Sequence, residues 1–190
     1  MTNTALVAGQ NRVRSIAREA GLIVSLTGLT ILAARVAIPL PFTPVPATLQ
    51  VAAVIFAGSA FGPVRGMLSQ LLYLVIGLVG FGVFADPSVA GPAIFATPTF
   101  GYLLAFPLAA YLAGRWTGPK GRWLSAAAGL LAVYALGVAW LLGWASLVGQ
   151  DVSLAWGIMA GILPFLLFDL LKTALAAWSA IPIRRRLKSS

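Results

Sequence analysis

Asp169 and Lys172 stand three residues apart inside an almost wholly apolar run, residues 163–183. An acid and a base are costly to bury in a bilayer, so such a pair marks a binding or transport site by default. On a helix the two share one face. They can neutralise each other and fix helix positions, or they can hold one small polar ligand. In the second case the carboxylate accepts from N–H groups and the ammonium donates to oxygens. Little other reactive chemistry is available. The chain has no Cys and no His, which removes disulfides, thiol nucleophiles, imidazole bases and the usual transition-metal ligands. The other acids, Glu19, Asp86 and Asp151, are too scattered to suggest a carboxylate dyad or a dinuclear metal cage. An intramembrane hydrolase or transferase would need a serine with Lys172, or Asp169 as base, and no motif supports either arrangement. No phosphate-binding Gly-rich loop is present, so this chain carries no nucleotide-hydrolysing machinery of its own. Neither enzymatic activity nor a cofactor is expected.

The elements that position this pair are membrane helices. Of 190 residues 60% are hydrophobic and only 9% charged, and the mean hydropathy is +0.96, far from the composition of a water-soluble domain. Apolar stretches and breakers divide the chain into about six spans, residues 22–38, 48–61, 67–80, 99–114, 124–148 and 164–183. The expected fold is an all-α integral membrane protein with a single domain: a cytoplasmic lead-in at 1–19, a six-helix bundle at 20–183 and a basic tail at 184–190. Pro39, Pro41, Pro44 and Pro46 end the first span, and Phe61-Gly62-Pro63 makes a tight hairpin of the second and third.

The net charge of +9 reflects topology, not nucleic acid. With six crossings, all of the 13 basic residues except Arg35 and Lys172 fall on one side, which the positive-inside rule makes the cytoplasm. Both termini are therefore expected inside. Residues 81–98, the outer connection between helices 3 and 4, carry Phe81, Phe84 and Phe95 among glycines and prolines. So apolar a segment reads as a lid folded over the bundle, since loop backbone is tolerated there if it lines a cavity. Residues 149–163 are long enough for a short interfacial helix. Pro164 then opens the sixth span, placing Asp169 and Lys172 roughly 7 to 12 Å below the outer surface.

The run Pro41-Phe42-Thr43-Pro44-Val45-Pro46-Ala47-Thr48-Leu49-Gln50 resembles the PVPxTLQ signature of the BioY family, the biotin-binding S components of energy-coupling factor transporters. Three further runs agree in order and spacing. Gly62-Pro63-Val64-Arg65-Gly66 resembles the family's GPxxG turn, and Pro98-Thr99-Phe100-Gly101-Tyr102-Leu103 resembles its PTGGYL motif. Residues 164–172, ending in Asp169-Leu170-Leu171-Lys172, resemble its PFLPGDLLK segment. The resemblance implies a subunit of the cell membrane that captures biotin from outside and associates with a transmembrane T subunit and two cytoplasmic ATPases. Phe100 stands where the family has glycine, and Leu167-Phe168 where it has Pro-Gly; both are expected to add bulk near the pocket and so to alter its outline, not the ligand class.

Biotin offers a ureido ring with two N–H donors and one carbonyl, a thioether ring, and a tail ending in a carboxylate. Asp169 and Lys172 complement the ureido head; Lys172 could instead pair with the carboxylate, but Asp169 beside it would repel that group. Arg35 and Thr99 are candidates for that carboxylate, Arg35 alternatively snorkelling to headgroups. Tyr102 offers a ring for the thioether, or a belt residue at the interface. Phe84 and Asp86 on the lid are candidates to cover and bond the ligand. Gln50 is expected to orient the Pro-rich loop or to meet the ligand. Ala33 and Ala37 match the AxxxA pattern by which the first helix of the resembled family docks its T subunit, internal packing being the alternative. A stand-alone secondary transporter of a small carboxylate vitamin is the competing expectation; it would usually bring inverted repeats, and none is evident. A homo-oligomer is compatible with the sequence.

Overall fold

The structure, a computed structural model, describes residues 2–116 and 118–189. Met1, at the head of the expected lead-in, Ser190, at the end of the tail, and Thr117 lie outside the described residues. Among the described residues seven α-helices run in chain order: α1 (Thr2–Arg35), α2 (Gln50–Phe61), α3 (Pro63–Leu78), α4 (Phe100–Arg115), α5 (Gly121–Leu147), α6 (Leu154–Gly161) and α7 (Leu163–Ser189). Two-residue strands β1 (Ala37–Ile38) and β2 (Ala47–Thr48) pair antiparallel, with Ala37 opposite Thr48, and a short 3-10 helix spans Gly91–Ala96.

Among the described residues three stretches are long and apolar enough to cross a membrane: Arg12–Arg35, Gly121–Leu147 and Leu163–Arg184. The expected second and third spans appear as shorter apolar helices, Gln50–Phe61 and Pro63–Leu78, and α4 has 16 residues. At 1.5 Å per residue these helices run about 18 to 24 Å, short of the roughly 30 Å of a hydrocarbon core. At one end these helices give way to the connecting residues 36–49 and 79–99, and this is where the site forms.

The bundle is built around α2, whose Val54, Ile55, Ala57 and Ala60 are fully buried among α7, α4 and α3. α4 lies along α5. α1 stands at the edge against α3 and docks through polar groups: Thr27 donates to the Ser69 carbonyl at 2.9 Å and Gln70 donates to Thr30 at 3.1 Å. Hydrogen bonds of this kind join helices where apolar burial gives no net drive. Gly62, at φ 95°, makes the turn between α2 and α3, with Pro63 starting the next helix, so the tight hairpin is present.

Both outer helices overrun the expected spans. Glu19 pairs with Arg65 at the start of α3, at 2.5 Å, and residues 2–18, the expected lead-in, are helical and continuous with α1. At the same end Arg184 donates to the carbonyls of Ser59 and Gly114 at 3.1 and 2.8 Å, and α7, which runs on through Pro182, continues past Arg184 to Ser189. At the other extremity α1 stops at Arg35, three residues short of the expected boundary. Ala33 and Ala37 therefore share no helical face: Ala33 is buried, and Ala37 lies in β1. The expected AxxxA docking strip is not formed by this pair.

Candidate ligand-binding site

A cavity of about 510 Å³ lies at the end of the bundle where the short helices stop, within the size range of small-molecule sites. Its floor and walls come from Gln50 and Val51 on α2, Tyr102, Leu103 and Phe106 on α4, Val133 and Tyr134 on α5, and Phe165 and Asp169 on α7. The Pro-rich loop contributes Pro39, Leu40 and residues 43–46, and residues 81–98 contribute Phe84, Asp86, Val89, Ile94 and Thr97. The lining is mostly apolar with a few convergent polar groups.

Asp169 is the most elaborated of these groups. It is 4% exposed. One carboxylate oxygen meets the Lys172 ammonium at 2.6 Å and the other accepts from the Tyr134 hydroxyl at 2.9 Å. Two further lone-pair sites remain, since a carboxylate accepts about four hydrogen bonds. Lys172 does not line the cavity; it sits behind Asp169 and donates to the Thr48 carbonyl at 2.7 Å. The pair is thus a buried ion pair with one member presented to the cavity and the other anchored to β2.

Gln50, 3% exposed, completes the polar floor. Its amide nitrogen donates to the Tyr73 hydroxyl at 2.7 Å, and that hydroxyl donates to the Val83 carbonyl at 3.3 Å. Because the one phenolic proton is used at Val83, Tyr73 can only accept from Gln50, which fixes the amide with its NH2 toward Tyr73. The Gln50 carbonyl oxygen has no hydrogen-bond partner among the described residues, in a side chain that lines the cavity.

The other expected site residues divide. Thr99 lines the cavity, its hydroxyl 3.2 Å from that of Thr97. Tyr102 supplies a ring to the wall, but its hydroxyl is committed to the Gly161 carbonyl at 2.9 Å. Phe84 covers the cavity from residues 81–98, its ring edge-on to Tyr73 at 5.6 Å. Asp86 lines the rim, where the Ser88 hydroxyl (2.6 Å) and then the Ser88 amide (2.9 Å) hold its carboxyl below the usual range. Arg35 does not line the cavity; its guanidinium donates to the Gly82 carbonyl and tethers that segment to the end of α1. Phe95 turns outward against Phe100.

The expected extra bulk is absent from the cavity. Phe100 packs between Phe95 and Trp140, at centroid distances of 4.7 and 5.0 Å, and does not line the cavity. Leu167 and Phe168 are 75% and 65% exposed on the far face of α7. Two kinds of residue escaped the sequence reading. Tyr134 was identifiable in principle as a tyrosine inside an apolar span, whose buried hydroxyl must find a partner. Trp140 and Trp144, one turn apart on α5, donate to the Thr97 and Ala96 carbonyls at 2.9 and 2.8 Å and clamp the end of the covering segment. Thr43 donates to the Ala160 carbonyl at 2.7 Å, so α6 is tied to the Pro-rich loop as well as to Tyr102 and is more than an interfacial helix.

The sequence model of the BioY family matches residues 3–189. A probable biotin transporter BioY of Pyrococcus horikoshii is 38% identical over 174 residues, 92% of this chain and 98% of that protein. The biotin transporter BioY of Thermotoga maritima is 35% identical over 163 residues, 84% of this chain and 91% of that protein. Among solved structures, the S-component for biotin from an ECF-type ABC transporter superposes with a TM-score of 0.73 at 24% identity, over 99% of this chain and 95% of that one. At that identity the likeness is one of fold.

Proposed function

The chain belongs to the BioY family, and we propose that it is a biotin-binding uptake subunit of an energy-coupling factor transporter. It is a membrane protein. In this reading six helical segments cross the cell membrane with both termini in the cytoplasm, the cavity opens outward, and residues 81–98 are its lid. A transmembrane T subunit and two cytoplasmic ATPases supply the energy; the chain itself captures ligand and needs no cofactor to do so.

The observation that carries the reading is the Asp169 carboxylate, ion-paired from behind and open to an apolar cavity. Lys172 and Tyr134 hold it in place with one contact to each oxygen, leaving acceptor positions for the ureido N–H groups. Gln50 adds an acceptor, and the ring of Tyr102 with Phe84, Leu103 and Phe106 encloses the thioether ring. Lys172 acts through Asp169 here, in place of the direct bond to the ureido carbonyl that its spacing suggested. Head-group bonds to an ion contribute roughly 1.5 to 3 kcal/mol each. A ligand without N–H donors leaves the buried carboxylate unmatched and is rejected.

Equilibrium binding of tritiated biotin to the detergent-purified chain alone tests this directly. Saturable binding, displaced by unlabelled biotin and not by lipoate, which has a similar tail but no ureido ring, is expected. Displacement by lipoate as readily as by biotin would overturn the assignment of the polar floor to the ureido head.

A further inference from the structure

The charges around the cavity are unequal in a way that bears on the ligand's tail. Among the described residues that line it, the charged side chains are Asp169 and Asp86, both acids, and no lysine or arginine is present. Asp169 is compensated by Lys172 at 2.6 Å. Asp86 has no such partner: it takes its two hydrogen bonds from Ser88, stands exposed, and contributes to the rim. The two intramembrane cations are engaged elsewhere, Lys172 with Asp169 and Thr48, Arg35 with the Gly82 carbonyl. A neutral ureido head seated on the floor sends its flexible tail toward that rim. The carboxylate would there meet a like charge with no lining cation to offset it.

We propose that this site recognises the bicyclic head alone, and that biotin amides and esters, whose tails are uncharged, are ligands as good as or better than the free acid. The inference rests on the biotin reading above. Asp86 sets the charge preference at the rim, so an amide whose added group carries a positive charge is favoured further. The expected size is modest, because a single exposed charge acts through water: about 2- to 5-fold between a neutral and an anionic tail.

Competition against tritiated biotin on the purified chain, using biotin, biotinamide and the amide of biotin with ethylenediamine, separates the possibilities. Biotinamide is expected to compete at least as well as biotin, and the cationic amide better still. In Asp86→Asn the preference for neutral over anionic tails should fall by about 2- to 5-fold. A loss of 10-fold or more on converting biotin to its amide overturns the inference while leaving the biotin assignment intact. The same holds if the Arg35→Gln variant loses free biotin selectively over the amide, which would make Arg35 the carboxylate's partner. Folded protein that binds neither compound overturns both readings.

Discussion

The two ends of this bundle are built on opposite principles. At the end that carries Arg65 and Arg184, helices meet backbone to backbone. A Cβ on Gly58 would sit 1.9 Å from the Ala110 carbonyl oxygen, one on Gly66 2.7 Å from the Gly58 Cα, and one on Gly114 2.5 Å from the Pro63 nitrogen. At the other end the helices stop early, and prolines, a two-residue ladder and side-chain hydrogen bonds take over. Small residues permit close approach and hence dispersion contacts, the main drive for helix association in a bilayer. Gly58, Gly66 and Gly114 let α2, α3 and α4 be cinched there, whereas close approaches at the cavity end, such as Gly137 against the Tyr102 ring, are largely to side chains. Irregular backbone at membrane depth is tolerated at the splayed end because it lines a cavity and its polar groups are bonded within the protein.

This contrast can be broken most severely at the cinched end. Gly58→Ala forces α2 away from α4, a cost at or above the top of the roughly 1–3 kcal/mol range for overpacking. A large drop in Tm and in monodisperse yield is expected, seen by thermal unfolding in detergent. At the splayed end, changes should lower affinity with little effect on folding. Gln50→Leu removes one acceptor, and a loss of about 5- to 10-fold in biotin affinity is expected, from the roughly 1 kcal/mol of a neutral hydrogen bond. Trp144→Phe keeps the ring and deletes the bond to Ala96, so biotin release should quicken about 2- to 5-fold in a chase experiment. Leu167→Ala, on the outward face of α7, should leave affinity unchanged. A clear effect there would mean that α7 turns a different face to the cavity.

What was legible in the sequence follows the same division. Asp169 and Lys172 stood out because charge is rare in an apolar run, and the Gly62-Pro63 turn because two residues determine it locally. Helix ends were read less well, since hydropathy marks where a bilayer ends and not where a helix does. Residues 2–18 contain no proline, so α1 continues through them, whereas Pro39 stops it before Ala37. The polar floor was harder still. Gln50 meets Tyr73 23 residues away and Tyr134 meets Asp169 35 residues away, pairings that no local spacing encodes. Phe100 misled because its motif lies beside the cavity while its ring packs behind the wall, against Trp140.

We propose that the splayed end holds biotin through one buried, ion-paired carboxylate. Tritiated-biotin binding to wild type and Asp169→Asn, each shown monodisperse and with a measured Tm, tests it most directly. Wild type should bind tightly and the variant about 10- to 100-fold more weakly, the range expected for a charge-assisted bond at a desolvated site. Unchanged biotin affinity in a folded Asp169→Asn protein would contradict it and return the pair to a purely structural role.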